Sequence, residues 1–170
     1  KAAALAGIAM LVGHALFKST LFLVVGVIDH STGTRDLTQL TGLARSLPVV
    51  AVIGGLAAAS MAGLPPMLGF IAKESALESL TYLVTYSGDG TGLTPMLAVC
   101  LLAAVVAGSV LTVAYSLRWW WGAFATKPDV EAPHLHRPSL GFLLAPALLG
   151  LACLVGGFLG APLTGLIETY

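Results

Sequence analysis

His14 and Lys18 lie four residues apart inside an otherwise apolar run, and Lys73, Glu74 and Glu78 lie inside a second one. A spacing of four places His14 and Lys18 on one face of a helix, and Glu74 and Glu78 repeat it. These residue types carry protons: lysine titrates readily once desolvation disfavours its charged form, and histidine does so nearer neutral pH. The pattern predicts proton transfer, with Lys73 accepting and releasing the proton and His14 as its relay partner. Each residue also has a structural reading. Lys73 could snorkel or pair with Glu78, and His14 could make an interhelical hydrogen bond. Lys18 could snorkel toward the nearer helix end, while Glu74 and Glu78 could be interface carboxylates. Hydrolytic chemistry finds no support. There is no phosphate-cradling glycine loop and no HExxH, Ser60 and Ser75 lack a base partner, and His134, His136 and Glu131 read as solvated loop residues rather than as a metal site. The expectation is a transporter, not an enzyme, with no metal and no cofactor.

The surroundings of these residues are set by composition. Of 170 residues, 57% are hydrophobic and 9% charged, with a mean hydropathy of +0.93. Soluble domains carry about 25% charged residues. So little charge cannot cover a water-facing surface, whereas lipid needs none. The predicted class is therefore an all-α integral membrane protein. Net charge is zero, with 8 basic and 8 acidic residues and no basic cluster. That argues against nucleic acid as a partner. Cys100 and Cys153 sit in apolar runs without metal-ligand spacing and read as packing residues.

A span needs about 20 apolar residues to cross roughly 30 Å of hydrocarbon. Four spans are expected, over residues 2–28, 47–86, 95–121 and 140–167. The second is too long, since roughly 40 helical residues would cover about 60 Å. Gly63, Pro65 and Pro66 supply a break, because proline removes a donor and turns its predecessor away from helix. Such a break is compatible with a simple packing kink. It would also free backbone carbonyls around Met61 and Ala62, which can hold water or a cation where they line a cavity. The third span reads as scaffold, with Gly108 and Ser109 favouring close packing and Trp119–Trp121 forming an interfacial anchor. Arg35, Arg45, Arg118, Lys127 and Arg137 all fall on one side if the spans alternate, whereas the turn-rich stretch 87–94 has no Lys or Arg. Loops 29–46 and 122–138 are accordingly expected to be cytoplasmic. The chain opens on Lys1, without Met, and its first apolar run passes Lys18 to Ile28, too long for a signal sequence. The reading is one membrane domain, 1–170, cut from a longer protein.

The segments His14–Lys18, Leu21–His30, Thr32–Asp36 and Ser60–Glu74 (SMAGLPPMLGFIAKE) resemble the large A-type subunit of the Mrp-type multisubunit Na⁺/H⁺ antiporters, a family homologous to the proton-pumping membrane subunits of respiratory complex I. The likeness is strong over about Ala2–Leu80 and elsewhere rests on hydropathy and loop placement. It implies that the chain is the C-terminal part of an antiporter-like bundle, helices eleven to fourteen of a fourteen-helix core built from inverted repeats. It also implies that Lys73 is the buried lysine of the discontinuous helix, and that His14 links the central hydrophilic axis to it, with Lys18 one turn along. Met10 stands where complex I subunits often carry a further histidine, which favours the antiporter branch. The resemblance further implies a hetero-oligomer in a prokaryotic cell membrane, exchanging protons for Na⁺ or another monovalent cation.

Overall fold

The computed structural model describes residues 2–86 and 94–167, and within them the chain forms six helices and no strand: α1 (Ala2–Thr32), α2 (Leu43–Ser46), α3 (Pro48–Ala62), α4 (Leu68–Tyr86), α5 (Pro95–Phe124) and α6 (Leu140–Ile167). The turn-rich stretch 87–93 lies outside the described residues. Three helices are long and apolar enough to cross a membrane, over Ala6–Thr32, Pro95–Phe124 and Leu140–Leu159, and α3 is a shorter apolar one. An all-helical integral membrane protein results. At 1.5 Å per residue, the 15 residues of α3 reach only about 22 Å, short of the roughly 30 Å core.

Backbone chemistry, not polarity, sets the helix ends. α1 continues beyond Ile28 through polar residues, of which Asp29 pairs with Arg35 at 2.7 Å. It stops at Gly33, whose φ of 72° reverses the chain. α5 starts at Pro95, with Thr94 Oγ1 accepting the Leu97 N–H at 3.4 Å. It then runs past Trp121 to Phe124.

Two cores hold the helices together. One gathers Val24, Val27, Ile28, Leu40, Leu43, Val50 and Phe124 at the loop end, and the other gathers Phe17, Leu21, Ala57, Ala58, Met61 and Cys153. The first core corrects the reading of the tryptophan run. A Cβ at Gly54 would sit 3.2 Å from the Trp119 ring and one at Gly55 3.3 Å from Trp120 Nε1. Those two glycines seat two indoles against α3, and Trp120 Nε1–H donates to the Ala51 carbonyl at 3.0 Å. Trp121 is the member of the run left largely outside, 70% exposed. At Gly108 no atom of the described residues lies within 4 Å of a Cβ placed there, so no helix of this chain packs closely on it. Ser109, Thr112 and Ser116 bond to carbonyls of their own helix, and Cys100 is exposed rather than packed.

The segments flanking α2 and following α5 meet on the same side of the molecule. Gly42 N–H donates to the Ala125 carbonyl at 2.9 Å, Lys127 N–H to Thr41 Oγ1 at 2.7 Å, and His136 N–H to the Ser31 carbonyl at 2.9 Å. The Lys127 ammonium donates to the carbonyls of Leu37, Leu40 (2.8 Å) and Gly122 (2.7 Å). Its charge thus serves as a structural plug between the two segments.

Candidate functional site

The site begins where α3 ends. Leu64 N–H donates to the Ala59 carbonyl at 3.0 Å and Gly63 N–H to Ser60 at 3.1 Å, a Schellman closure with Gly63 at φ 81°. That closure covers the carbonyls of Ala59 and Ser60. Pro65 and Pro66, joined by a cis peptide, bar the helix from continuing, and α4 starts at Leu68. The Ala62 carbonyl takes its proton donor from the other half-helix, since Lys73 Nζ donates to it at 3.0 Å. An ammonium against the C-terminus of a helix meets the negative end of its dipole.

Close backbone approaches hold this geometry. A Cβ on Gly69 would fall 1.8 Å from the Ser60 carbonyl oxygen, and the Gly69 N–H donates to the buried Ser60 Oγ at 3.3 Å. From α6, a Cβ on Gly157 would fall 1.7 Å from the Pro66 carbonyl oxygen. α1 closes a third side, where Gly13 lies against Leu68 and the fully buried Ala72, next to Lys73. Gly13, Gly69 and Gly157 do not stand out in the sequence, which shows small residues but not the backbones that need their smallness.

The sequence-selected residues are only partly brought together. Lys73 is half-buried at the break, whereas Glu74 and Glu78 are exposed on α4. The one salt bridge among the described residues is Arg35–Asp29, so the Lys73–Glu78 pair is not formed. His14 is exposed on α1, its ring 5.1 Å from that of Phe17. Among the described residues neither His14 nor Lys18 bonds directly to Lys73. Lys18 Nζ instead sits 5.9 Å from the centre of the Tyr115 ring, at the upper range for a cation–π contact. It lines a cleft of about 230 Å³ with Phe22, Met61, Tyr115 and Trp119. Tyr115 Oη donates to Met61 Sδ at 3.4 Å. The third span, read as scaffold, therefore contributes a side chain beside Lys18.

Comparisons with known proteins place this apolar helical bundle in a family. Residues 2–94 match the family model described as NADH:quinone oxidoreductase/Mrp antiporter, transmembrane. The chain belongs to this family. A relative from Staphylococcus saprophyticus subsp. saprophyticus, named as the A1 subunit of a Na(+)/H(+) antiporter, is 38% identical over 171 residues, covering 98% of this chain and 20% of its own length. One of the same name from Staphylococcus aureus (strain Newman) is 37% identical over 170 residues, covering 98% and 21%. The structure of the Mrp complex from Dietzia sp. DQ12-45-1b superimposes with a TM-score of 0.76 at 26% identity, over 93% of this chain and 35% of that one.

The Mrp antiporter likeness read from the sequence is thereby borne out, and it extends further. Motifs alone carry a strong match only over Ala2–Leu80, but the relatives align across α5 and α6 as well. The chain spans about a fifth of the length of these relatives.

Proposed function

We propose that this chain is part of one subunit in a multisubunit antiporter that exchanges protons for Na⁺ or another monovalent cation, and that it forms part of the buried proton path. The observation that carries the reading is the Lys73 ammonium docked on the Ala62 carbonyl at a helix break. A lysine in an apolar bundle is costly, about 2.5–3.5 kcal/mol on insertion scales, and such residues mark proton or ion routes. Lys73 accepts and releases the proton, and His14, exposed on α1, exchanges it with the hydrophilic axis of the wider bundle. Lys18 adds a positive charge one turn along. Water bridges the gaps that direct hydrogen bonds do not span. Glu74 and Glu78 are placed to draw the proton toward the exposed side of α4. The partners are other antiporter subunits in a bacterial cell membrane, with the segments 29–46 and 122–138 on the cytoplasmic side.

A proton-pumping subunit of complex I is the second reading, favoured by a family that spans both groups. The names of the relatives and Met10 weigh toward the antiporter. The deciding experiment is cation-dependent proton flux in inverted vesicles carrying the whole complex, wild type against Lys73→Ala at matched assembly. Flux is expected to fall to background in an intact complex. Wild-type flux in the variant would reduce Lys73 to a structural snorkeller and end the proton-path reading.

A further inference from the structure

The α3–α4 break gives a role to a residue without a side chain. We propose that Gly63 is a positioning residue for proton transfer at Lys73, its missing Cβ being the lane through which the ammonium reaches the Ala62 carbonyl. The inference rests on the reading of Lys73 as the proton carrier and says how that residue is held and released.

A Cβ on Gly63 would lie 2.7 Å from Lys73 Cδ and 3.5 Å from both Cε and Nζ. The last three atoms of the lysine side chain therefore pass directly over Gly63 on their way to the carbonyl, 3.0 Å from Nζ. The left-handed φ of 81° already favours glycine there, but that demand is separable. Gly33 has a φ of 72° and no atom within 4 Å of its missing Cβ, so it shares the backbone demand without the lane.

The backbone around the break is clamped while the lysine is not. Gly69 lies hard against the Ser60 carbonyl, and Gly157 against that of Pro66, with no side chain between that could turn aside. Lys73 has a flexible four-carbon stem. A protonated Lys73 gains a charge-assisted hydrogen bond at the end of α3, and a neutral one loses most of it. Bonds to charged groups favour the docked state roughly ten- to hundredfold. Of the ionisable groups on neighbouring helices, His14, Lys18, Asp29 and His30 on α1, Cys100, Tyr115 and Arg118 on α5 and Cys153 on α6, none hydrogen-bonds to the ammonium among the described residues. The moving part is thus the side chain, which swings over Gly63 on a fixed backbone as its proton comes and goes.

The test uses the whole complex with Gly63→Ala, Gly63→Asn and Gly33→Ala. Asparagine tolerates left-handed backbone, so Gly63→Asn fills the lane with little added strain. Two quantities are read: cation-dependent proton flux, and the rate at which formaldehyde with borohydride methylates Lys73, followed by peptide mass. Both Gly63 variants are expected to lose flux at least about tenfold and to methylate Lys73 about tenfold faster, because a displaced lysine is no longer shielded by its carbonyl. Gly33→Ala should keep wild-type values of both. Normal flux and methylation in Gly63→Asn would overturn the proposal, as would equal losses in Gly33→Ala. If neither Gly63 variant assembles, Gly63→Ala is combined with Lys73→Ala. Restored assembly assigns the clash to the lysine, and unrestored assembly makes Gly63 purely structural and overturns the inference. Loss of flux in Lys73→Ala with normal flux in both Gly63 variants would sink this inference alone, whereas normal flux in Lys73→Ala would sink the reading beneath it.

Discussion

Replacing Gly157 by alanine should destabilise the protein even though the same change at Gly108 should not. Within a helix, glycine to alanine ordinarily stabilises by about 0.5–1 kcal/mol because the unfolded chain loses freedom. Gly108 on α5 has nothing of this chain within 4 Å of the added methyl, so within these helices only that term acts. At Gly157 the methyl would lie 1.7 Å from the Pro66 carbonyl oxygen and 2.7 Å from the carbonyl carbons of Pro66 and Met67. Ordinary contact is about 3.5 Å, so α6 and the break must separate by well over an ångström. All three atoms are backbone, and no rotamer change relieves the overlap. Overpacking of this kind costs about 1–3 kcal/mol or more, which exceeds the propensity gain. The assay is the apparent Tm of the detergent-solubilised complex, read as a difference between the two variants because a multisubunit protein does not melt in two states. Gly157→Ala is expected to melt at least about 2 °C below wild type and Gly108→Ala at or above it. Equal or reversed values would show that α6 does not press on the break, and the account of a clamped backbone would fall with it.

Two further outcomes concern the loop side. Lys127→Met removes an ammonium that three backbone carbonyls share and leaves them facing one another. A loss of about 2–4 kcal/mol is expected, seen as faster proteolysis of the 125–139 segment, and an unchanged cleavage rate would deny the plug. Asp36 accepts from the Thr38 N–H at 2.8 Å, Thr38 Oγ1 at 2.7 Å and Gln39 Nε2 at 3.1 Å. The backbone bond from Thr38 leads in holding its carboxyl below the usual carboxylate range. A depressed folded value stabilises above the unfolded one and is lost as the pH falls through the folded one. Amide exchange at Thr38, corrected for intrinsic rate, should therefore lose protection as the pH falls below about 4, and protection that stays constant on full acidification would refute the turn.

What was legible in the sequence was chemistry carried by a residue's own identity. Pro65 and Pro66 in an over-long apolar run announce a broken helix because proline acts through its own ring and missing donor. Lys73 announces itself because charge among apolar residues is costly wherever its partner lies. What was hidden depends on a partner distant in sequence. The tryptophan run reads as an interfacial anchor, yet Gly54 and Gly55 turn two of its members inward. Lys127 reads as a topogenic charge, and nothing near it in sequence discloses the carbonyls of Leu37 and Leu40. Gly157 looks like any small residue of a membrane helix until Pro66 is placed against it. Polarity also misplaces an end, since α1 continues through Asp29 and His30 until Gly33 allows the turn.

The partner of the Ala62 carbonyl has a consequence for how the protein is made. A helix end exposed to hydrocarbon ordinarily waits for neighbouring helices to satisfy it. Here the donor arrives 11 residues later in the same hairpin, before α5 and α6 have been synthesised. The Ala62 carbonyl is thus met by a contact of short sequence separation, the kind that forms early and at little entropic expense. The broken pair can enter the bilayer as a self-contained unit, and the later helices need only close around a feature already complete.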